Sequence, residues 1–195
     1  MLDAKYLYLI RSLVIVVIFA LAAQLGSVFM SAGSAFLTPV WPPAAVACAV
    51  ALLYGPRYLL CIALYIYYDY VSVDFYKSSR YLYGLIEPVC MAITASSVAF
   101  IARRTSLDLS LGKVKDNLWL MAMALLYAII SASLATVGYC GFAATARCTD
   151  NGWFGHWAQF GVGDLFGLWI CLPALISWGL RLDAGSRQVL NAPGR

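Results

Sequence analysis

Charged residues are scarce in this sequence. They make up 11% of the 195 residues, whereas hydrophobic residues make up 63% and the mean hydropathy is +0.82. Soluble proteins carry about 25% charged residues, so the scarcity excludes an ordinary soluble domain and indicates an integral membrane protein. With about 20 residues per crossing, the chain has room for six or seven helices in a single membrane domain over residues 1–195.

Residues that commonly carry chemistry are also few. The sequence contains one histidine, His156, and neither a phosphate-binding glycine loop nor a nucleophile elbow. A haem or metal site on His156 would need other ligands, since no second histidine exists. We therefore predict no metal and no cofactor. The net charge of +4 does not predict nucleic-acid binding, because the basic residues lie between the hydrophobic stretches, where they orient helices.

The hydrophobic stretches predict an all-α bundle of six transmembrane helices. The predicted spans are residues 12–30, 41–54, 58–73, 81–102, 118–137 and 160–180. With the amino terminus in the cytoplasm, ten of the thirteen Lys and Arg residues fall on the inside. The positive-inside rule then predicts that both termini are cytoplasmic.

Acidic residues within or beside these spans are the candidate functional groups. They are Asp69, Glu87 and Asp164, and a carboxylate in hydrocarbon is costly unless it is paired, protonated or in contact with water. The second, fourth and sixth spans run in one direction. This places Trp41, Pro42, Glu87 and Asp164 within about two turns of the outer surface, with Asp69 on the same side. The pattern predicts an outward-facing polar pocket; the alternative is that each carboxylate reaches the interface or pairs separately, for structural reasons.

Small residues flank the acidic residue of the sixth span. Gly163 and Gly167 form a small-xxx-small face, which allows two helices to approach closely. A neighbouring backbone could then hydrogen-bond Asp164. This face is a candidate contact surface for a partner or ligand.

Two cysteines are predicted outside the bilayer. Cys140 and Cys148 lie in the connection before the sixth span, on the predicted oxidising side, and we predict that they form a disulfide. The other cysteines lie in predicted helices, where cysteine behaves as a small hydrophobic residue.

Several motifs carry a resemblance to a known family. They are Trp41-Pro42-Pro43 with the apolar run to Gly55, then Glu87-Pro88, and then Gly163-Asp164-x-x-Gly167 with Pro173. In this order, over almost the whole chain, they resemble the bacterial membrane-associated sensor domain, the MASE type of the first class. The resemblance implies a module of histidine kinases and of diguanylate cyclases or phosphodiesterases that detects a signal and aids membrane placement. Here the sequence ends about fifteen residues after the last predicted span, so a signalling output is expected to come from a partner.

Two other classes share features with the sequence. The motif from Gly161 to Asp164, with Tyr68-Asp69 and Pro173-Ala174-Leu175, is similar to intramembrane aspartyl proteases, in which paired aspartates activate water. However, Pro-Ala-Leu and Asp164 lie here on one helix, and six helices are fewer than the presenilin-like fold uses. An S-component of a vitamin transporter has a similar size and helix number.

We therefore expect a non-enzymatic, sensor-like accessory subunit of the bacterial inner membrane, without catalytic residues. Its expected partners are other integral membrane proteins and the lipid bilayer, with a small-molecule ligand possible at the polar pocket. An assembly subunit without ligand sensing is the main alternative. The predicted binding residues are Trp41, Pro42, Asp69, Glu87, Gly163, Asp164 and Gly167.

Overall fold

The chain folds as a helical bundle. A computed structural model describes residues 4–31, 40–72, 80–105, 107–142 and 146–190, with side chains over these ranges except at 4, 29–31, 70, 80–84, 142, 146–151 and 182–190. The α-helices in these ranges are α1 (Ala4–Ser31), α2 (Pro42–Leu53), α3 (Leu59–Ser72), α4 (Arg80–Arg104), α5 (Val114–Thr136) and α6 (Ala146–Leu190). A 3-10 turn, Pro56–Tyr58, follows α2, and a π-helical turn, Val137–Phe142, extends α5.

Four stretches of the described helices are long and apolar enough to cross a membrane. They are Lys5–Val28, Leu85–Arg104, Val114–Gly141 and Gly152–Arg181. At about 1.5 Å per residue, α2 covers only about 18 Å and α3 about 21 Å, whereas the hydrocarbon core is about 30 Å thick. Over the residues that the structure describes, the chain is therefore all-helical with four candidate membrane-spanning helices, and the described part of each predicted range lies mainly on a helix.

Helix α2 forms the core. Eleven of its twelve residues are buried, and five of these are alanines. Because the side chains are small, α1, α4 and α6 pack around it. A helix enclosed in this way contacts protein instead of lipid.

Helix α1 has the opposite character, because most of its apolar side chains are exposed. Leu9, Leu13 and Leu21 are 65%, 65% and 66% exposed. Leucine side chains exposed over the length of a spanning helix are the surface expected against lipid tails. The helix begins at Ala4 and so extends eight residues before the predicted start of the first span at residue 12.

Contacts at both ends of α1 and α2 show how the two helices are oriented relative to each other. Near the end of α1, a side chain at Gly26 would overlap the ring of Trp41, which precedes α2. Near its beginning, the Arg11 guanidinium lies 5.6 Å from the centroid of the Tyr54 ring, just after α2. The two helices are therefore antiparallel.

Helices α2 and α6 are parallel. The amide of Trp41 donates a hydrogen bond to the Gly163 carbonyl, and Leu53 at the other end of α2 packs against Gly179. We call the two ends of the bundle the Trp41 end and the Arg57 end, after the residues that precede and follow α2.

Helix α5 runs antiparallel to both α4 and α6. Ile86, early in α4, packs against Gly138 after α5. The indole of Trp157 donates to the Ser133 hydroxyl at 3.1 Å, and the indole of Trp169 donates to the Met121 carbonyl at 3.4 Å. The beginning of α4 and the carboxyl end of α5 therefore lie at the Trp41 end.

Asp164 lies deeper in the bundle than its predicted position about one turn inside the sixth span. Helix α6 begins at Ala146 and bends at Gly152, whose backbone is non-helical (φ 66°, ψ 170°), and the spanning part starts there. Asp164 follows Gly152 by twelve residues, or about 18 Å along a helix. The difference arises because the stretch before Phe160, although more polar, is helical.

Candidate functional site

The site is organised by a backbone contact between the beginning of α2 and the middle of α6. The Trp41 amide donates to the Gly163 carbonyl oxygen over 2.8 Å. A side chain at Gly167 would overlap the backbone of Trp41, including its carbonyl group. The predicted small-residue face thus packs inside the chain itself, against Trp41.

The Trp41-Pro42-Pro43 sequence explains how α2 begins inside the protein. The first four N–H groups of a helix have no intrahelical acceptor and are costly when buried. Pro42 and Pro43 occupy the first turn and have no N–H group, and both are buried. The Trp41 N–H is satisfied by α6. The motif therefore removes most of the cost of starting a helix away from water.

A small polar cavity adjoins this contact. Its volume is about 30 Å³, which is enough for one or two water molecules. The lining residues are Phe19, Trp41, Pro43, Ala44, Glu87, Cys90, Met91, Tyr127, Ser131, Ala135, Phe160 and Asp164. Five helices therefore surround the cavity, and its polar side chains come from α4, α5 and α6.

Asp164 is the most enclosed acidic residue of this cavity, with 4% of its surface exposed. The Ser131 hydroxyl of α5 is positioned to donate a hydrogen bond to its carboxyl group, and the Glu87 carboxylate is close enough to repel its charge. Tyr127, one turn before Ser131, is 1% exposed and lines the same cavity. The Ser131 hydroxyl, a hydrogen-bond donor, and the negatively charged Glu87 carboxylate are thus the polar neighbours of Asp164.

Glu87 is held from the Trp41 end of the bundle. The Tyr139 hydroxyl donates a hydrogen bond to Glu87 Oε2 over 3.1 Å. The Tyr139 ring lies 5.8 Å from the His156 ring and 5.7 Å from the Phe160 ring, and His156 stacks on Phe160 at 4.9 Å. This aromatic cluster fixes the hydroxyl that binds Glu87.

The orientation of α2 also affects the electrostatics. The amino terminus of a helix carries a partial positive charge, and the first turn of α2 contributes Pro43 and Ala44 to the cavity wall. The positive end of α2 therefore points towards the two acidic residues and offsets part of their charge. The arrangement can hold a water molecule beside the two carboxyl groups.

The structure brings together six of the seven predicted binding residues. Trp41, Glu87 and Asp164 line the cavity, Pro42 begins α2 beside it, and Gly163 and Gly167 contact Trp41. Asp69 is exposed on α3 and does not line the cavity. The pairing of Asp69 with Asp164 that the aspartyl protease alternative requires is therefore not present around this cavity.

Sequence reasoning missed the contribution of α5 and its extension. Tyr127 and Ser131 lie in the fifth predicted span and Tyr139 just after it, and none of the three is among the predicted binding residues. Tyr127 and Ser131 are four residues apart, so they share one face of the helix, and Tyr139 lies two turns further along. That spacing was the available signal.

The described cysteines are of two kinds. Cys140 is disulfide-bonded, whereas Cys48, Cys61, Cys90 and Cys171 are free thiols. The side chain of Cys148 lies outside the described residues, so its pairing with Cys140 remains a prediction.

Within the part of the chain that the structure describes, no group of three or more His, Cys, Asp and Glu side chains is arranged to hold a metal ion. Comparison of the chain with protein-family models, curated proteins and solved structures found no match. The site is therefore interpreted from its own geometry.

Proposed function

We propose that this chain is a non-catalytic, sensor-like membrane domain that acts as an accessory subunit, and that the cavity between Trp41, Glu87 and Asp164 is its binding site. The observation that supports this most is the convergence of two acidic side chains, from α4 and α6, on one small cavity. Ionisable groups inside a membrane are costly and usually functional. The resemblance to the MASE type of sensor domain agrees with this proposal.

The size of the cavity restricts what it can bind. Pockets for drug-sized ligands have volumes of about 300–1,000 Å³, far above the roughly 30 Å³ found here. A water molecule or a small cation fits the cavity in this conformation. A vitamin-sized ligand, as in an S-component, would require the helices to separate.

A structural role is the second candidate. It is favoured by the hydrogen bond from Tyr139 to Glu87 and by the position of the Ser131 hydroxyl beside the Asp164 carboxyl group. In that case the carboxyl groups join helices within an assembly subunit, and no ligand is sensed.

Variants of Asp164 test the proposal. Wild-type protein is purified in mild detergent beside Asp164→Asn and Asp164→Leu, and retained membrane proteins are identified by mass spectrometry. The asparagine keeps the shape and the hydrogen bonds, so it should retain the partner, whereas leucine should release it while the monomer still unfolds cooperatively. Asp69→Leu is the matched control because Asp69 is exposed away from the cavity, and it should behave as wild type.

The outcomes separate the alternatives. Full partner retention by Asp164→Leu with a lowered melting temperature would favour the structural role. A wild-type chain that retains no membrane protein would contradict the accessory-subunit proposal. Cleavage of a model membrane peptide by wild type but not by Asp164→Asn would contradict the non-enzymatic proposal, because an amide cannot act as a general acid or base.

The proposed topology has six helices that alternate in direction across the membrane, with the shorter α2 and α3 packed between the four long ones, and both termini in the cytoplasm of a bacterium. The alternation of helix direction and the basic residues around the Arg57 end support it. Ser110 lies exposed between α4 and α5, so a cysteine introduced there should react with an impermeant reagent only after the membrane is opened. A cysteine introduced at Ser78, between the third and fourth predicted spans, is the control and should react in intact cells. The reverse pattern would contradict the orientation.

A further inference from the structure

A second and larger cavity lies near the Arg57 end, between α1, α2 and α6. Its volume is about 210 Å³, and its lining is almost entirely apolar. Ile10, Val14 and Ile18 form one wall, at a spacing of four residues on α1. Leu53 of α2 and Leu175 of α6 contribute to the other walls. We call this cavity the α1 groove.

The α1 groove runs along the bundle and opens towards the surrounding lipid. From Ile10 to Ile18 it extends about 12 Å along the helix axis. Val14 lines it and is also 50% exposed. A linear apolar molecule can therefore enter from the side, parallel to α1.

The end of the α1 groove nearest the Arg57 end is cationic and aromatic. Arg11, which lines the groove, lies 5.6 Å from the Tyr54 ring. Tyr54 packs against Tyr58 at 5.9 Å, and Tyr58 packs against Tyr8 at 4.8 Å. Arg57 lies 5.1 Å from the Tyr58 ring and 5.9 Å from the Tyr8 ring. Three tyrosine rings thus connect two guanidinium groups.

Tyrosine and arginine side chains are typical of the level of the lipid head groups. The stacking of both guanidinium groups on tyrosine rings restricts their motion, and the planar N–H groups of a guanidinium match the geometry of phosphate oxygens. The apolar length of the groove begins at this level and leads into the hydrocarbon region. Its chemistry is therefore complementary to an amphiphile with a negative head and a linear apolar tail.

We propose that the α1 groove binds one anionic phospholipid, with an acyl chain along Ile10, Val14 and Ile18 and the phosphate at Arg11, supported by Arg57. Basic pockets between membrane helices bind anionic head groups in this way. The site is separate from the cavity of Asp164 and does not depend on the function proposed for it.

The wild-type chain provides the first test. The full chain in detergent micelles is titrated with phosphatidylglycerol or with phosphatidylcholine of the same acyl chains, and bound lipid is counted by native mass spectrometry. We expect one phosphatidylglycerol to bind at least about fivefold more tightly than phosphatidylcholine. Equal affinities for the two lipids would overturn the proposal.

Matched variants then locate the site. Arg11→Gln should remove most of the preference for phosphatidylglycerol, whereas Arg104→Gln should not, because Arg104 stacks on Phe100 outside the groove. Val14→Phe should reduce the binding of both lipids by filling the groove. Val17→Phe is its control, because Val17 is equally exposed on α1 but does not line the groove.

Two results would contradict this location. One is an equal loss of preference in the two arginine variants, and the other is an equal loss of binding in the two phenylalanine variants. The lipid titration of the wild-type chain remains a test of the proposal even if a variant does not fold.

Discussion

The amide of Trp41 is hydrogen-bonded to the carbonyl oxygen of Gly163, 2.8 Å away in another helix. This bond joins the first residue before α2 to the residue before Asp164. It gives a common explanation for two sequence features, the double proline and the small-residue face, because each serves the same contact between two backbones.

Substitution of Gly167 should destabilise the fold strongly. The methyl group of Gly167→Ala would overlap the Trp41 backbone, and overpacking typically costs about 1–3 kcal/mol, with a rigid backbone favouring the upper part. Gly161→Ala is the control, since its methyl group would meet the Ala132 side chain at an ordinary 3.5 Å. Thermal unfolding in detergent measures both variants, and equal melting temperatures would contradict the proposed contact.

Pro43→Ala should also destabilise the protein, for a different reason. The substitution adds an N–H group to the buried first turn of α2, where no side chain caps the helix. An unsatisfied buried donor costs about 1–3 kcal/mol. Pro56→Ala adds an N–H group at an exposed position and should have a much smaller effect. A melting temperature unchanged by Pro43→Ala would show that the new group finds an acceptor.

The connection between α4 and α5 should respond to acid. The Ser110 amide donates to Asp108 Oδ1 at 2.9 Å, and this bond, followed by the Ser110 hydroxyl and then the charge of Lys113, holds the pKa of Asp108 below its usual value. Because the pKa is lowered in the folded state, the interaction is present above the ordinary value of about 3.9. It is lost as the pH falls through the lower, folded value.

The amide resonance of Ser110 measures this titration by NMR. The pH at the midpoint of this titration should lie below the ordinary pKa of an aspartate carboxyl group. Asp108→Asn should abolish the titration while keeping an acceptor for the Ser110 amide. A midpoint at or above the ordinary value would refute the assignment.

The disulfide partner of Cys140 should be Cys148. The two residues are eight positions apart, so closing this loop should stabilise the protein by about 2–3 kcal/mol. Alkylation of unreduced, denatured protein should label Cys48, Cys61, Cys90 and Cys171 only. Cys148→Ser should make Cys140 reactive as well, and a still-protected Cys140 in that variant would indicate another partner.

The positions of the helices were predictable from the sequence, because each is an apolar stretch bounded by polar residues. The short, enclosed character of α2 was not predictable, since an alanine-rich apolar run has the same hydropathy whether it faces lipid or protein. Only the three-dimensional structure distinguishes these two cases, because it shows that eleven of the twelve residues of α2 are buried.

The candidate site was predictable in part. Glu87 and Asp164 were expected near each other because their helices run in the same direction, and both line one cavity. Asp69 was grouped with them by depth alone, and depth does not fix the side of a helix on which a residue lies. The partners Ser131 and Tyr139 come from α5 and its extension, whose place in the bundle depends on packing that no local pattern records.

The close fit of Trp41 on Gly167 has a mechanical consequence. The Trp41 backbone lies directly against Gly167 and is hydrogen-bonded to Gly163, so a displacement of α6 beside Asp164 should carry the beginning of α2 with it. Since α2 is a short rod of about 18 Å, that movement reaches Tyr54 and Arg57 at its other end. A movement in the interior of the bundle would thus be transmitted through α2 to the Arg57 end.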